Sequence, residues 1–178
     1  MAFVRAASTA ADAPALAALQ RRIWQHTYGH LPAIASALAT DTDPLPWIAV
    51  LEDPQITVLV AVDEDGIVGY CLFTVDRDDA EIHALEIDPS ARRRGHASRL
   101  IAAFVDACAP APTAIMWCPI DAEPLRGFLQ TSGWGPDGSL RDLAAADDST
   151  IREVRMVTDL MSYRAGQEGS GESPAPAG

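Results

Sequence analysis

The stretch "PSARRRGHASRLI", residues 89–101, places three consecutive arginines directly before a glycine. Before it, "AEIHALEID" at residues 80–88 has the composition of a β-strand, which Pro89 ends. After it, apolar residues recur at helical spacing, namely Leu100, Ile101, Phe104, Val105 and Cys108. The stretch therefore predicts a strand, a tight turn and a helix, in that order.

A turn of this kind is suited to bind an anion. The first backbone N–H groups of a helix have no partner within the helix and lie at the positive end of its dipole. Gly95 lets the backbone approach a phosphate closely, and the small Ala97 leaves room for it. The guanidinium groups of residues 92–94 can add charge-assisted hydrogen bonds. The alternative is a solvated basic turn that only offsets nearby acidic residues.

Two other phosphate-binding loops are excluded. The stretch has no G-x-G-x-x-G dinucleotide fingerprint. A Walker loop requires a lysine, and all 13 basic residues of this chain are arginine.

Composition narrows the class of protein. The chain has 178 residues, of which 48% are hydrophobic, and this predicts one globular domain. Its net charge of -12 argues against binding to nucleic acid or to an anionic membrane. The three cysteines lack metal-like spacing and lie in apolar runs, so we interpret them as reduced core thiols and predict no metal site. The amino terminus lacks signal-peptide features and no apolar run reaches transmembrane length, which favours a cytoplasmic protein.

The remaining sequence predicts alternating helices and strands. A strand at residues 2–6 precedes a long helix that ends near residue 29, a second helix at 31–39 and a short one at 47–53. "ITVLVAV" and "IVGYCLFTV" predict an antiparallel hairpin joined by "DEDG". Later elements are a strand at "TAIMWC", a helix at residues 121–133, a loop rich in Gly and Asp, and a last strand at "IREVRMVTDL". Residues 163–178 are rich in Gly, Ser and Pro, so we expect a folded domain over residues 1–162 and a disordered tail over 163–178.

The arginine-glycine turn resembles the signature of the GNAT superfamily of N-acetyltransferases, which is Arg or Gln, two residues, Gly, one residue, then Gly or Ala. Here the matching residues are Arg92, Arg93, Arg94, Gly95, His96 and Ala97. "IVGYCLF", "AEIHALEIDP", "FLQTSGW" and "EVRMVTDL" are similar to further family segments, so the resemblance covers residues 3 to about 160. It implies an α/β fold with a mixed, mostly antiparallel sheet, flanking helices and a splay between strands 4 and 5.

The resemblance also implies an activity. In the family the turn binds the pyrophosphate of acetyl-CoA, which implies this cosubstrate and a pyrophosphate site at residues 92–98, including Ser98. The implied reaction is acetyl transfer to a primary amine of a small molecule or peptide. An amine that is cationic at neutral pH must lose a proton before it attacks. The family's usual glutamate base corresponds to Glu81, with His83 and Glu86 as rivals.

Strand alternation puts His83 on the same face as Glu81, and Glu86 on the opposite face unless a bulge shifts the register. Family members usually have such a bulge, which frees backbone amides to bind the thioester and the pantetheine arm. By resemblance these amides belong to Leu85 and Ile87, with Glu86 between them.

Two positions depart from the family pattern. Ala122 stands where many relatives have an asparagine that contacts the cofactor arm. Leu129 stands where many have a tyrosine that protonates the leaving thiolate, and leucine has no proton to donate. Three interpretations stay open: an enzyme without a general acid, an enzyme that uses Tyr28 or Tyr70 instead, and a non-catalytic acyl-CoA-binding or interaction module.

The acceptor side is less determined. Trp24 and Tyr28 share a helical face near the expected acceptor cleft, where they form either an acceptor-binding wall or an aromatic pair packed on the sheet. Nearby acidic residues would favour a cationic amine or serve as solubilising surface: Asp41, Asp43, Asp76, Asp78 and Asp79. The sequence leaves a homodimer open.

Overall fold

The computed structural model describes residues 1–30, 32–40, 43, 45–144 and 150–169. Within this part of the chain, seven strands form one mixed sheet in the order β1-β2-β3-β4-β5-β7-β6. The strands are β1 (Phe3–Ala6), β2 (Ile56–Asp63), β3 (Gly66–Val75), β4 (Asp79–Ile87), β5 (Thr113–Pro119), β6 (Gly135–Ala144) and β7 (Thr150–Asp159). The helices are α1 (Thr9–Thr27), α2 (Pro32–Leu38), α3 (Trp47–Glu52), α4 (His96–Ala107), α5 (Glu123–Thr131) and α6 (Leu160–Gly169). The α/β fold class and the mixed, mostly antiparallel sheet are confirmed.

Two apolar cores lie on opposite faces of the sheet. On one face, α1 and α3 pack against β2 and β3 through residues such as Leu16, Trp47 and Tyr70. The rings of Trp47 and Tyr70 meet edge to face, with 5.0 Å between their centroids. On the other face, α4 packs Phe104 against Phe73, also edge to face at 5.0 Å. Both cores follow from the apolar spacing of the helices and the alternation of the strands.

The splay between β4 and β5 is present. These two strands are parallel and pair over four residues only, from Asp79 opposite Thr113 to Ile82 opposite Met116. Beyond Ile82, β4 keeps its antiparallel partner β3, while β5 keeps its antiparallel partner β7. The edge of β4 that faces β5 is therefore without a strand partner from residue 83 onward, which leaves room for a ligand between the two strands.

A bulge in β4 decides which face each of its later residues occupies. Leu72 pairs with Ala84 and Phe73 pairs with Ile82, so His83 has no partner on β3. One extra residue in a strand reverses the alternation beyond it. As a result Glu86 lies on the same sheet face as Glu81, the face that α1 covers, whereas simple alternation would have separated them.

Two parts of the sequence-based prediction are wrong. The Gly- and Asp-rich loop contains β6, which pairs antiparallel with the outer edge of β7. Residues 163–169 are helical rather than disordered, because α6 begins where Asp159 accepts hydrogen bonds from the backbone N–H groups of Met161 and Ser162. Arg164 then donates to the carbonyls of Ala111 and Val105, which holds the helix against the domain. The remainder of the expected tail, residues 170–178, lies outside the described residues.

Among the described residues, the helices are too short or too polar to cross a lipid bilayer.

Candidate active site

The arginine-glycine turn begins at the end of β4 and ends at the first residue of α4. Asp88 accepts hydrogen bonds from the backbone N–H and the hydroxyl of Ser90, which fixes a short 3-10 helix over Pro89–Ala91. Gly95 then adopts a φ of +79°, and a β-carbon there would lie 3.4 Å from a guanidinium nitrogen of Arg99. Glycine is suited to this left-handed conformation, which turns the chain into α4 and leaves the first N–H groups of that helix without helical acceptors.

The three arginines of the turn have different partners. Arg92 donates to the Thr27 hydroxyl at 2.9 Å and to the Ile87 carbonyl at 3.3 Å, and it lines a large cleft together with Arg93. Arg94 instead lies 3.3 Å from a carboxylate oxygen of Asp63 and does not line the cleft. The structure thus brings two of the three guanidinium groups to the expected anion site, because the third points toward β2.

His96 is buried behind the turn. Its Nε2 lies 3.6 Å from Oδ2 of Asp63, and their side chains are 2% and 3% exposed. Burial lowers the pKa of His96, while the Asp63 carboxylate opposes this shift. Asp63 therefore contacts the turn at both Arg94 and His96, which connects the end of β2 to the start of α4.

The cleft has a volume of about 1280 Å³ and runs along the splay between β4 and β5. At one end lie residues of the turn and of the first turn of α4: Arg92, Arg93, Gly95, His96, Ala97 and Ser98. Its middle is formed by the end of β4, by the last residue of β5 and by residues directly after it: Leu85, Glu86, Ile87, Pro119, Asp121 and Ala122. The sequence-predicted cofactor residues other than Arg94 therefore line one continuous space.

Glu86 is the carboxylate at the centre of the cleft. The hydroxyl of Tyr70, its cross-strand neighbour, donates to Oε2 at 2.5 Å, and the indole N–H of Trp24 donates to Oε1 at 3.2 Å. Burial raises the pKa of Glu86, and the hydrogen bonds from Tyr70 and Trp24 oppose the shift. A carboxyl group with a raised pKa holds a proton more readily than a free carboxyl group, which suits it to act as a base.

Glu81 and His83 lie outside the set of residues that line the cleft. Oε1 of Glu81 is 3.6 Å from Nδ1 of His83, whose Nε2 is hydrogen-bonded to the Thr74 hydroxyl at 2.9 Å. His83 is the bulged residue, so the irregularity that orients Glu86 also leaves His83 at the exposed surface. The structure therefore groups Glu81 and His83 with each other and places Glu86 alone of the three in the cleft.

Tyr28 follows the last residue of α1 and lines the same cleft as Glu86. Its hydroxyl has no hydrogen-bond partner within the described part of the chain. Burial, and next the nearby Glu86 charge, raise the pKa of Tyr28 to about 12, whereas Arg92 acts in the opposite direction. The nearby Asp121 charge also raises the pKa of this hydroxyl.

Leu129 and those sequence-predicted acids that the structure describes do not line the cleft. Leu129 is fully buried in the core on the α4 face. Asp43 pairs with Arg21, and the acids of the β3–β4 turn, residues 76–79, do not line the cleft. Asp41 lies outside the described residues.

Sequence reasoning missed the wall of the cleft that lies opposite α1, called here the far wall. Ile120, Leu143 and Ile151 line it from the end of β5 and from β6 and β7. Leu143 and Ile151 are cross-strand partners, and this pairing depends on β6, which the sequence did not predict. Tyr70 was also not placed, although its position opposite Glu86 follows once the hairpin register and the bulge are known.

Comparison with known proteins gives a family and a fold. The model of the acetyltransferase (GNAT) family matches residues 14–134. No curated protein sequence matches the chain significantly. Among the described residues there is no cluster of His, Cys, Asp and Glu suited to a metal ion.

Several solved acetyltransferase structures are similar. The PaiA N-acetyltransferase of Thermoplasma acidophilum, in complex with coenzyme A, has a TM-score of 0.71 at 13% identity over 89% of this chain and 99% of that one. The ribosomal-protein-S18-alanine N-acetyltransferase of Escherichia coli has a TM-score of 0.66 at 13% identity, over 90% and 94%. A Bacillus anthracis structure with acetyl coenzyme A, provisionally assigned as a streptothricin acetyltransferase, has a TM-score of 0.56 at 17% identity, over 65% and 68%. At these identities the likeness establishes the fold alone.

Proposed function

The chain belongs to the acetyltransferase (GNAT) family, and from this premise we propose that it is an acetyl-CoA-dependent N-acetyltransferase. It transfers an acetyl group to a primary amine by direct attack in a ternary complex. The observation that carries the proposal is the continuity of one cleft from the arginine-glycine turn to the carboxyl group of Glu86.

The residues present fit acetyl-CoA as cosubstrate. Arg92, Arg93 and the first N–H groups of α4 offer positive charge and donors to a pyrophosphate. The unpaired edge of β4 and the short β4–β5 pairing leave space for an extended pantetheine arm. The complexes of two similar structures with coenzyme A and acetyl coenzyme A support the same choice. The bound cosubstrate supplies an acetyl group activated as a thioester.

Glu86 is the proposed general base. Alkylamines are mostly protonated at neutral pH, so the nucleophile must lose a proton before its nitrogen attacks the carbonyl carbon. The raised pKa of Glu86 suits this transfer, and the two hydrogen bonds from Trp24 and Tyr70 fix the carboxylate in the cleft. Glu81 and His83, the base and relay that the family resemblance implies, remain the alternative, and their position outside the cleft-lining residues argues against them.

Tyr28 is the proposed general acid. The departing thiolate needs a proton, and Leu129 has none to give. Tyr28 lines the cleft, and its hydroxyl has no competing hydrogen-bond partner among the described residues. Its pKa of about 12 lies above that of a thiol, so proton transfer from Tyr28 to the thiolate is uphill, and the Arg92 charge, which lowers the pKa of Tyr28, reduces this cost by stabilising the phenolate.

Backbone groups complete the proposed site. Leu85 and Ile87 flank Glu86 on the strand edge that β5 leaves unpaired. Backbone N–H groups on this edge are available to the carbonyl oxygen of the acetyl group, where donors stabilise negative charge as it develops.

A thiol-release assay with acetyl-CoA and a panel of amines tests the function. Amine-dependent release of free CoA, together with a rise in melting temperature when CoA binds, supports an acetyltransferase. A shift in melting temperature without release of CoA for any amine supports a second candidate, a non-catalytic acyl-CoA-binding or interaction module. The burial of Leu129 in the core favours this second candidate. Absence of both effects contradicts a CoA site.

A further inference from the structure

The end of the cleft beyond Glu86 has two apolar walls. Trp24, Tyr28 and Ile34 line it from α1, the residues after it and α2. Ile120, Leu143 and Ile151 line it from the opposite side, the first directly after β5 and the other two on β6 and β7. An amine that reaches Glu86 through this end must pass between these side chains.

Two of these residues are unusually accessible for their type. Ile120 is 46% exposed and Leu143 is 41% exposed, and both border the cleft. Large apolar side chains at the rim of a concave site indicate a ligand that covers them. Leu143 also pairs directly with Ile151 on the neighbouring strand, so the two side chains form one continuous apolar surface.

The acidic groups at this end are mostly neutralised or exposed. Glu153 binds Arg141 at 2.6 Å, on the β6–β7 side of the cleft. Asp121 is exposed at the rim, where solvent screens its charge. Glu86 is therefore the half-buried carboxylate that forms no ion pair among the described residues of the cleft, and it accounts for one ammonium group only.

The basic groups are also engaged. Arg152 makes two hydrogen bonds to Asp142, at 2.8 and 3.1 Å. Arg92 and Arg93 lie at the turn, where the proposed pyrophosphate binds. The other basic group at this end is the exposed imidazole of His30. A carboxylate on the acceptor would thus find no buried, unengaged guanidinium in the described part of the cleft.

We infer that the acceptor is a monoamine with an uncharged apolar body, an alkylamine or arylalkylamine, and is neither an amino acid nor a diamine. The inference rests on the proposed function, because it assigns the substrate of the same cleft. The single ammonium group pairs with Glu86, and the apolar body lies between Trp24 and the Leu143–Ile151 pair.

Matched amines test this inference. Phenethylamine and phenylalanine differ by one carboxylate, and hexylamine and 1,6-diaminohexane differ by one ammonium group. We expect kcat/KM for each apolar monoamine to exceed that of its charged partner by at least about 30-fold, since the added charge loses hydration without gaining a partner. Calorimetric titration of the same amines into the CoA complex should give the same order of affinity, independent of turnover.

A charge introduced on the far wall should change this preference. Leu143→Asp places a carboxylate beside the apolar body and should reduce the ratio of hexylamine to 1,6-diaminohexane in kcat/KM by about tenfold. Leu140→Asp is the matched control, because Leu140 is 58% exposed on the same strand and does not line the cleft. It should leave the ratio unchanged.

The outcomes separate this inference from the proposed function. Turnover that favours phenylalanine or 1,6-diaminohexane overturns the acceptor class and leaves the acetyltransferase intact. An unchanged ratio in Leu143→Asp also overturns it, because the far wall would then not contact the acceptor. No release of CoA with any amine contradicts the proposed function, and the acceptor class falls with it.

Discussion

The hydroxyl of Tyr70 lies 2.5 Å from Oε2 of Glu86, and the two residues are directly opposite each other on the neighbouring strands β3 and β4. This hydrogen bond stabilises the charged carboxylate and lowers its pKa against the effect of burial. Tyr70→Phe should therefore raise the pKa of Glu86 and move the acidic limb of the kcat/KM profile to higher pH. It should also cost about 1 kcal/mol of stability. Tyr163→Phe, on α6, is the control, and an unmoved acidic limb in Tyr70→Phe would contradict the role of Glu86.

Glu86→Gln should lower kcat/KM by about 10²-fold to 10⁴-fold, the range for loss of a general base. The melting-temperature rise produced by CoA should persist, because Gln keeps the shape of the side chain. Glu81→Gln is the matched change on the same strand and should have little effect, since Glu81 does not line the cleft. The reverse result, a harmless Glu86→Gln and an inactive Glu81→Gln, would reinstate Glu81 as the base.

Tyr28→Phe should lower kcat by about 10²-fold and leave the KM for the amine nearly unchanged. Phenylalanine retains the ring that lines the cleft but cannot protonate a thiolate. The pKa of Tyr28 is about 12, so the wild-type phenol stays protonated through the neutral range. A kcat equal to that of the wild type would exclude Tyr28 as the general acid.

Gly95→Ala should weaken CoA binding by tenfold or more, measured by calorimetry. Alanine at a φ of +79° costs about 1 to 2 kcal/mol, and its β-carbon would contact the Arg99 guanidinium at 3.4 Å. Gly138→Ala provides a control with similar backbone strain, because Gly138 has a φ of +88° with open space around it and lies outside the cleft. Equal loss of CoA affinity in both variants would indicate general destabilisation instead of a damaged anion site.

Asp12→Asn should lower the free energy of unfolding at neutral pH by on the order of 2 kcal/mol. Arg5 donates two hydrogen bonds to the buried Asp12 and lowers its pKa from 3.8 to about 2. A carboxyl group with a lowered folded-state pKa stabilises the fold above its unfolded pKa, and this contribution is lost as pH falls toward 2. Urea unfolding should show the gap between variant and wild type closing with acidification. Asp137→Asn, at an exposed pair with Arg155, should cost less at neutral pH.

The sequence predicted those parts of the fold in which local pattern and tertiary environment agree. The hairpin of β2 and β3 and the helix α4 have strong periodicities, and each is buried on the face that its period indicates. β6 was missed because "GPDGSLRDLA" has the composition of a loop and none of its residues is fully buried. Its partner β7 and cross-strand ion pairs such as Arg152 with Asp142 hold it in place, and these contacts are not visible in the segment itself.

The candidate site was predicted to a similar extent. The turn at Gly95 could be identified because a strand, an arginine cluster, a glycine and an apolar helix occur in one continuous segment. The far wall could not be identified, since it combines residues from the end of β5 and from β6 and β7 that meet only in three dimensions. The orientation of Glu86 depended on a bulge that no side chain in β4 specifies by its type.

Because of the unpaired residue at position 83, the face on which Glu86 lies is determined by the register of its pairing with β3. If the same residues paired regularly through His83 without the bulge, Glu86 and the neighbouring apolar residues would exchange faces and the carboxylate would enter the core beneath α4, whereas a deletion of His83 would leave Glu86 opposite Tyr70. Point substitutions at His83 would preserve this register. Among related proteins, the register of this strand therefore carries more information about the site than the identity of its side chains.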